Sequence, residues 1–203
     1  MQHTTLDSLA RIRSGYPFRG PVKHDPTGDI RVLQIRDLRH PKKLDAEALS
    51  RISAPDNYSA HLLQPDDIVM PARGDHRAAV IFTLTEPTIA SSHLHTVRVT
   101  SPDVLPRYLC WALNQSATQH AMESEARGTA MPLLSRRSLS AIQISLPSIA
   151  TQKRIIELND LWQREHALTL ELLTNTGRLV EGMIQQLMSF EQAANPTQDG
   201  DPR

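Results

Sequence analysis

The sequence predicts an α+β protein: a mixed, sheet-containing domain over residues 1–148, a long C-terminal coiled-coil helix over 149–190, and a disordered tail over 191–203. Three observations predict it. Short β-like runs alternate with turn residues through the first part. A proline-free stretch with leucines at helical spacing fills 151–190. The charge balance changes at the same place: residues 1–148 hold 17 Lys and Arg against 14 Asp and Glu, and residues 149–203 hold 5 against 8. The net charge of zero therefore hides two parts with different surfaces. The excess of three positive charges in the first permits a polyanionic partner without demanding one.

Each element has its own signal. Residues 30–35 (Ile-Arg-Val-Leu-Gln-Ile) follow the turn pair Gly28-Asp29 and read as a strand, as do 67–70 before Pro71, 78–84 and 96–99. Residues 45–52 read as a short helix. A second helix, 106–114, follows Ser101-Pro102-Asp103, with Leu109, Trp111 and Leu113 for apolar contacts. Ser135 opens a third, 135–140, which leads into the strand 142–146 that Pro147 stops. The first domain is expected to end there, near 148.

In the last stretch Ile155, Leu158, Leu161, Leu168, Leu172, Leu179 and Leu187 recur at steps of three, four, seven or eight, which lays one apolar stripe along one helix. About 40 residues at about 1.5 Å each span roughly 60 Å, far beyond an ordinary globular helix. The stripe needs a second helix to cover it, so a homodimer, or pairing with another chain, is expected. Glu165 and Asn175 interrupt the stripe, and polar residues in a seam fix register and orientation.

Composition excludes several classes. A chain of 203 residues with 39% hydrophobic residues can bury a core. Cys110 is the single cysteine, which excludes an intramolecular disulfide and a multi-cysteine zinc site. Two Trp, three Tyr and three Phe leave little for the stacking platforms of RNA and single-strand binders. No basic-plus-apolar leader opens the chain, and the longest apolar runs, such as 78–82, fall far short of the roughly 20 residues that cross a bilayer. A cytoplasmic protein without membrane contact is expected.

Catalytic readings fail motif by motif. The sequence has no Walker loop, no G-x-G-x-x-G, no G-x-S-x-G and no H-E-x-x-H. A DNA methyltransferase would need an Asn/Asp-Pro-Pro-aromatic loop, whereas the one Asn-Pro, Asn195-Pro196, runs into Thr197. His93 and His95, two apart on a strand-like segment, share a face but have no third ligand by spacing, so no metal site is expected. Cys110, between Leu109 and Trp111, reads as a small buried thiol. The expectation is a chain with no catalytic residues and no cofactor of its own.

Two loops remain: Arg73-Gly74-Asp75-His76-Arg77 between two apolar strands, and Arg127-Gly128-Thr129 ahead of Leu133-Leu134. Arginine forks match guanine edges and phosphates, and glycine lets the backbone approach closely, although an Arg-Gly in a hairpin is commonly a solvated turn.

The order of segments resembles the specificity (S) subunit of type I restriction-modification systems, in a half-length form with one target-recognition domain and one spacer helix. Ser14-Gly15-Tyr16-Pro17-Phe18 is similar to the family's opening S-G-x-P-F, and Gly28-Asp29-Ile30 through Ile35-Arg36-Asp37-Leu38 to its G-x-(I/V)-x-x-I-R-(D/N)-(L/I). Leu63 to Val69 and Arg73-Gly74 resemble its L-x-x-G-D strand and R-G turn, with Asp66 where the family has Gly. Gly128-Thr129, Leu134-Ser135, Leu139, Ile142 to Pro147, and Gln152 to Ile156 resemble its later hallmark, with Met131 at a common glutamine and Ser148 at the second proline.

The resemblance implies reading of a few base pairs of double-stranded DNA, an antiparallel coiled coil that spaces two half-sites, and docking of an adenine methyltransferase subunit that brings S-adenosylmethionine, with a restriction subunit in a complete system. Arg36, Arg73 and Arg127 hold family-like positions and, with Gly74, His76, Arg77, His95, Gly128 and Thr129 as their neighbours, are the candidate DNA contacts. Two other readings stay open: a coiled-coil interaction adaptor, and a stand-alone DNA-binding repressor.

Overall fold

The computed structural model describes residues 2–39, 44–74, 77–125 and 133–194. The chain divides into two compact units, Met1–Ile156 and Glu157–Arg203. In order, the elements are β1 (Gln2–Thr5), α1 (Leu6–Leu9), β2 (Ala10–Ser14), β3 (Ile30–Leu33), β4 (Ser50–Ile52), β5 (Ile68–Pro71), β6 (Val80–Ile81), β7 (Thr88–Ala90), β8 (Leu94–Val99), α2 (Pro106–Leu113), α3 (Ser116–Glu125), α4 (Arg136–Ser140), β9 (Gln143–Leu146) and α5 (Ile149–Ala194). Sheets and helices mix as the sequence predicts. Among the described residues no helix is long and apolar enough to cross a membrane.

The first unit is built around a four-stranded antiparallel sheet in the order β2-β8-β5-β6, whose strand β5 is packed on both faces. Alternation along β5 does this: Ile68 and Met70 point into the main core with Leu109, Leu113, Met122 and Leu139, while Val69 points into a second core with Leu33, Leu38, Phe82 and Leu94. A three-stranded sheet, β4-β3-β7, joins β3 to β7 in parallel and β3 to β4 in antiparallel register. Its Ile30, Val32 and Ile89 form a third core under Tyr16, Phe18 and Tyr58. A two-stranded ribbon, β1-β9, pairs the start of the chain with the strand that precedes α5.

Where local pattern and pairing disagree, pairing wins. The expected helix over 45–52 is instead a 3-10 turn, Ala46–Ala48, followed by β4, because Ile52 pairs with Ile30 across the sheet. The strand expected over 30–35 stops at Leu33, and Ile35–Leu38 closes into a 3-10 turn. Of 78–84 only Val80–Ile81 is a strand. By contrast α2 begins at Pro106 in the N1 position, and Ser135 Oγ accepts from Ser138 N at 3.0 Å to cap α4.

Several residues of the family-like motifs have structural reasons. A Cβ at Gly15 would lie 2.1 Å from Ser91 O, so the chain passes β7 only without a side chain there. Asp66, at the family's glycine position, has φ +71 in the turn that Asp67 N closes onto Gln64 O at 3.0 Å. Asp67, 1% exposed, holds Arg98 in a two-point pair: Arg98 Nε to Oδ1 at 2.7 Å and Nη2 to Oδ2 at 2.6 Å.

The expected domain end near 148 coincides with the start of α5, but the compact unit runs on through Ile156. Gln152 explains the difference. It is 0% exposed; its Oε1 accepts from Leu105 N at 2.9 Å, and its Nε2 donates to Asp103 O at 2.8 Å and Pro147 O at 2.9 Å. Ile155 and Ile156 pack against the main core.

The second unit is the remainder of α5, helical to Ala194. From 161 to 190 every residue is exposed, Leu161, Leu168, Leu172, Leu179 and Leu187 among them; Leu158 is 67% exposed. Trp162 stacks on His166 at 5.4 Å between ring centres. The tail expected over 191–203 is corrected at its start, where α5 continues through Ala194; residues 195–203 lie outside the described residues.

Candidate nucleic-acid interface

The 3-10 turn Ile35–Leu38 is held shut from both ends: Gln34 N donates to Asp37 Oδ2 at 2.8 Å, and Asp37 N to Gln34 O at 3.0 Å. Burial raises the Asp37 carboxyl above its ordinary pKa, opposed by that backbone bond and by Arg36. Arg36 is exposed, yet anchored. Its Nη2 donates to Ser50 Oγ at 2.7 Å, and its Nε lies 3.6 Å from Asp37 Oδ1. Arg39 follows at the end of the turn, also exposed.

This turn meets the segment leaving β5. Ala72 N donates to His93 O and Leu134 N to Ala72 O, and Arg73 bridges Leu133, so the stem of the loop is pinned on two sides while the Arg73 side chain is exposed. Gly74 has φ +92, a conformation that favours glycine, and a Cβ there would meet nothing within 4 Å. Ile35, Leu38, Arg39, Pro71, Arg73, Gly74 and Ala78 line a cleft of about 90 Å³. Arg39 and Arg73 thus border one small cleft together with Ile35, Leu38, Pro71 and Ala78. Arg39 carries no signal in the sequence beyond its charge; only the turn that follows β3 brings it beside Arg73.

The other candidates divide. Arg77 is 3% exposed, with its carbonyl accepting from Gln119 Nε2, and His95 is 4% exposed, with Nε2 2.7 Å from Leu134 O. Their burial takes both off the exposed face, which corrects their placement as DNA contacts. Strand β8 begins at Leu94 and carries His95 into the interior, whereas His93 sits in the exposed turn before it, so the two imidazoles do not share a face. Burial holds the His95 pKa below its ordinary value, against the pull of the Leu134 carbonyl. His76, Arg127, Gly128 and Thr129 lie outside the described residues.

No catalytic geometry assembles among the described residues. Cys110 is buried against Ala79 O at 3.4 Å, and desolvation pushes its thiol up to about 12. A larger cleft of about 730 Å³ is lined mainly by apolar side chains, including Trp111, Ala121 and Ile142, and its Tyr108 hydroxyl is committed to Ser145 O at 2.7 Å. The described residues thus bring exposed arginines, Arg36, Arg39 and Arg73, to two neighbouring turns of the first unit.

Comparison with known proteins identifies the family. Residues 1–187 match the family described as type I restriction modification DNA specificity domain, and the chain belongs to that family. It is 23% identical over 189 residues to the type I restriction enzyme EcoBI specificity subunit of Escherichia coli, covering 93% of this chain and 36% of that one. The S subunit from M. genitalium superposes with a TM-score of 0.57 at 14% identity over 96% of this chain and 47% of its own. The HsdS subunit from Thermoanaerobacter tengcongensis gives 0.59 at 18% identity over 82% and 38%. The chain therefore spans less than half the length of these relatives. The matched family is described as a DNA specificity domain, and DNA target recognition is the role that description carries.

Proposed function

We propose that this chain is the sequence-specific double-stranded DNA recognition subunit of a type I restriction-modification-like complex, directing a partner adenine methyltransferase, and a restriction subunit where one is present, to a bipartite site. The observation that carries the reading is a family match that runs through both the sheet domain and the long helix, residues 1–187. Residues 1–148 act as the target-recognition domain and 149–190 as the spacer and dimerisation helix. S-adenosylmethionine belongs to the methyltransferase.

A second copy is the partner of the helix. Its exposed stripe of Leu158, Leu161, Leu168, Leu172, Leu179 and Leu187, continued from Ile155, needs cover. Charge supports an antiparallel pair. Glu157, Arg164, Glu171 and Arg178 recur every seven residues with alternating sign beside that stripe. Reversing one copy sets Glu157 against Arg178 and Arg164 against Glu171, whereas parallel copies gain no such matches. Two recognition domains related by two-fold symmetry then read an inverted repeat.

Arg36, Arg73 and Gly74 form the reading edge, with Arg127, Gly128, Thr129 and His76 as further contacts. Replacing Arg73 with Ala should cost roughly 1–3 kcal/mol at a base it reads and relax specificity there. The test is co-expression with an adenine methyltransferase of this system and sequencing-based mapping of methylated adenines. Methylation at one inverted, bipartite sequence, shifted or relaxed by Arg73→Ala, is the expected result; methylation that ignores the presence of this chain overturns the reading.

A further inference from the structure

The outer face of the β2–β8 pair carries charge that the Arg73 cleft does not account for. β2 is the edge strand of the four-stranded sheet. Its Ala10 and Ile12 turn into the main core, so Arg11 and Arg13 turn to the opposite face; Val97 of β8 points into that core, and Thr96 and Arg98 turn away beside the arginines. The register sets Arg11 directly opposite Arg98, and Arg13 opposite Thr96. Like charges facing each other across an antiparallel ladder are destabilising.

Arg98 is neutralised by Asp67. Arg13 gives Nη1 to Ala60 O at 3.0 Å, a neutral acceptor. Arg11 is exposed and, among the described residues, has no carboxylate within ion-pair distance. His61 lines the same shallow groove. A charged edge strand also deters edge-to-edge pairing, but that purpose requires neither an arginine across the ladder nor another two residues along on the same face.

We propose that this groove is a phosphate-contact site for duplex DNA, in which Arg11 and Arg13 engage the backbone independently of sequence. Residues two apart on a strand rise about 7 Å, which reaches phosphates of one DNA strand, spaced about 3.4 Å per nucleotide along the helix axis. The proposal rests on the DNA-recognition reading above and adds a second face to it.

The test titrates the full chain with a labelled mixed-sequence duplex at salt concentrations from about 50 to 300 mM, for the wild type, R11A/R13A and R11K/R13K. Each phosphate contact contributes a slope of about 0.9 in log affinity against log salt, which is about eightfold at 0.1 M. The alanine pair should lose close to two units of slope and bind every duplex sequence several tens of fold more weakly, and the lysine pair should keep the slope. If the alanine pair does not fold, as read by circular dichroism, Arg11→Gln at the exposed position should lose close to one unit. An unchanged slope in a wild type that binds DNA overturns the groove and leaves the recognition reading standing. A wild type with no salt-dependent binding to any duplex overturns both. An unchanged slope with lost capture of the purified methyltransferase reassigns the groove to an acidic protein surface and also overturns the proposal.

Discussion

Leu6, Val32 and Leu113 are 0% exposed, whereas Leu158 and Leu187, of the same chemical kind, are 67% and 68% exposed. The first three belong to a unit that buries its own apolar side chains in packed cores; the last two belong to a helix segment in which every residue from 161 to 190 faces solvent. One region is stable by its own burial, at about 25 cal/mol per Å² of apolar surface removed from water. The other carries its apolar stripe on a long helix and leaves it in solvent. The contrast teaches that self-burial and the exposed apolar stripe are carried by separate stretches of this sequence and respond to different substitutions.

The largest effect should come from Leu168→Asp with Leu172→Asp. Charges placed in the seam should cost several kcal/mol of association and leave monomers in light scattering. The melting transition of Met1–Ile156 should not move; if it falls with the oligomer, the two regions are not independent.

Next is Gln152→Ala. It strips partners from Leu105 N, Asp103 O and Pro147 O at the root of α5, and the unmet bonds should lower stability by about 2–3 kcal/mol in urea denaturation. This variant acts on the first unit and should leave association of the folded chains intact. Loss of dimer at concentrations where the protein is folded would show that the helix root transmits to the seam.

His95 supplies a pH probe confined to the same unit. Its folded pKa is depressed by burial, so the unfolded chain binds the proton first. Stability is therefore complete above the ordinary histidine value of about 6.5 and declines as pH falls through that value toward the folded pKa. His95→Gln should flatten this decline below about pH 6.5; an unaltered slope would assign the acid sensitivity to other groups.

The smallest effect is Asp66→Gly. At φ +71 a side chain is strained and glycine is not, so the change should stabilise by about 0.5 kcal/mol, read as a small rise in Tm with no change in DNA affinity.

Much of this organisation was legible in the sequence because it is local. Pro106 starts α2 through its fixed φ, and Ser135 caps α4 by accepting from Ser138 N three residues away. Strand β9 and the proline-free run of α5 rest likewise on short-range pattern. The strand at 50–52 was not legible, because Ser50-Arg51-Ile52 is extended only through pairing with β3, some 20 residues earlier. The candidate site follows the same rule. Arg73 beside Gly74 stands out in the sequence as a turn between strands. Nothing local tells the exposed Arg73 from the buried Arg77 four residues on, or announces that Arg39 will stand beside the former.

By itself the sequence determined the α+β class, the family, the division between a self-burying part and a long helix, and the apolar stripe along that helix, since each is written in periodicity, turn chemistry or motif order. Tertiary structure alone decided which arginines reach the surface together, that His95 and Gln152 are interior hydrogen-bonding groups, and that Arg11 faces Arg98 across a ladder. Those outcomes depend on strand register and on contacts between residues far apart in the chain. A one-residue change of register would turn Arg11 and Arg13 into the core and Ile12 out of it.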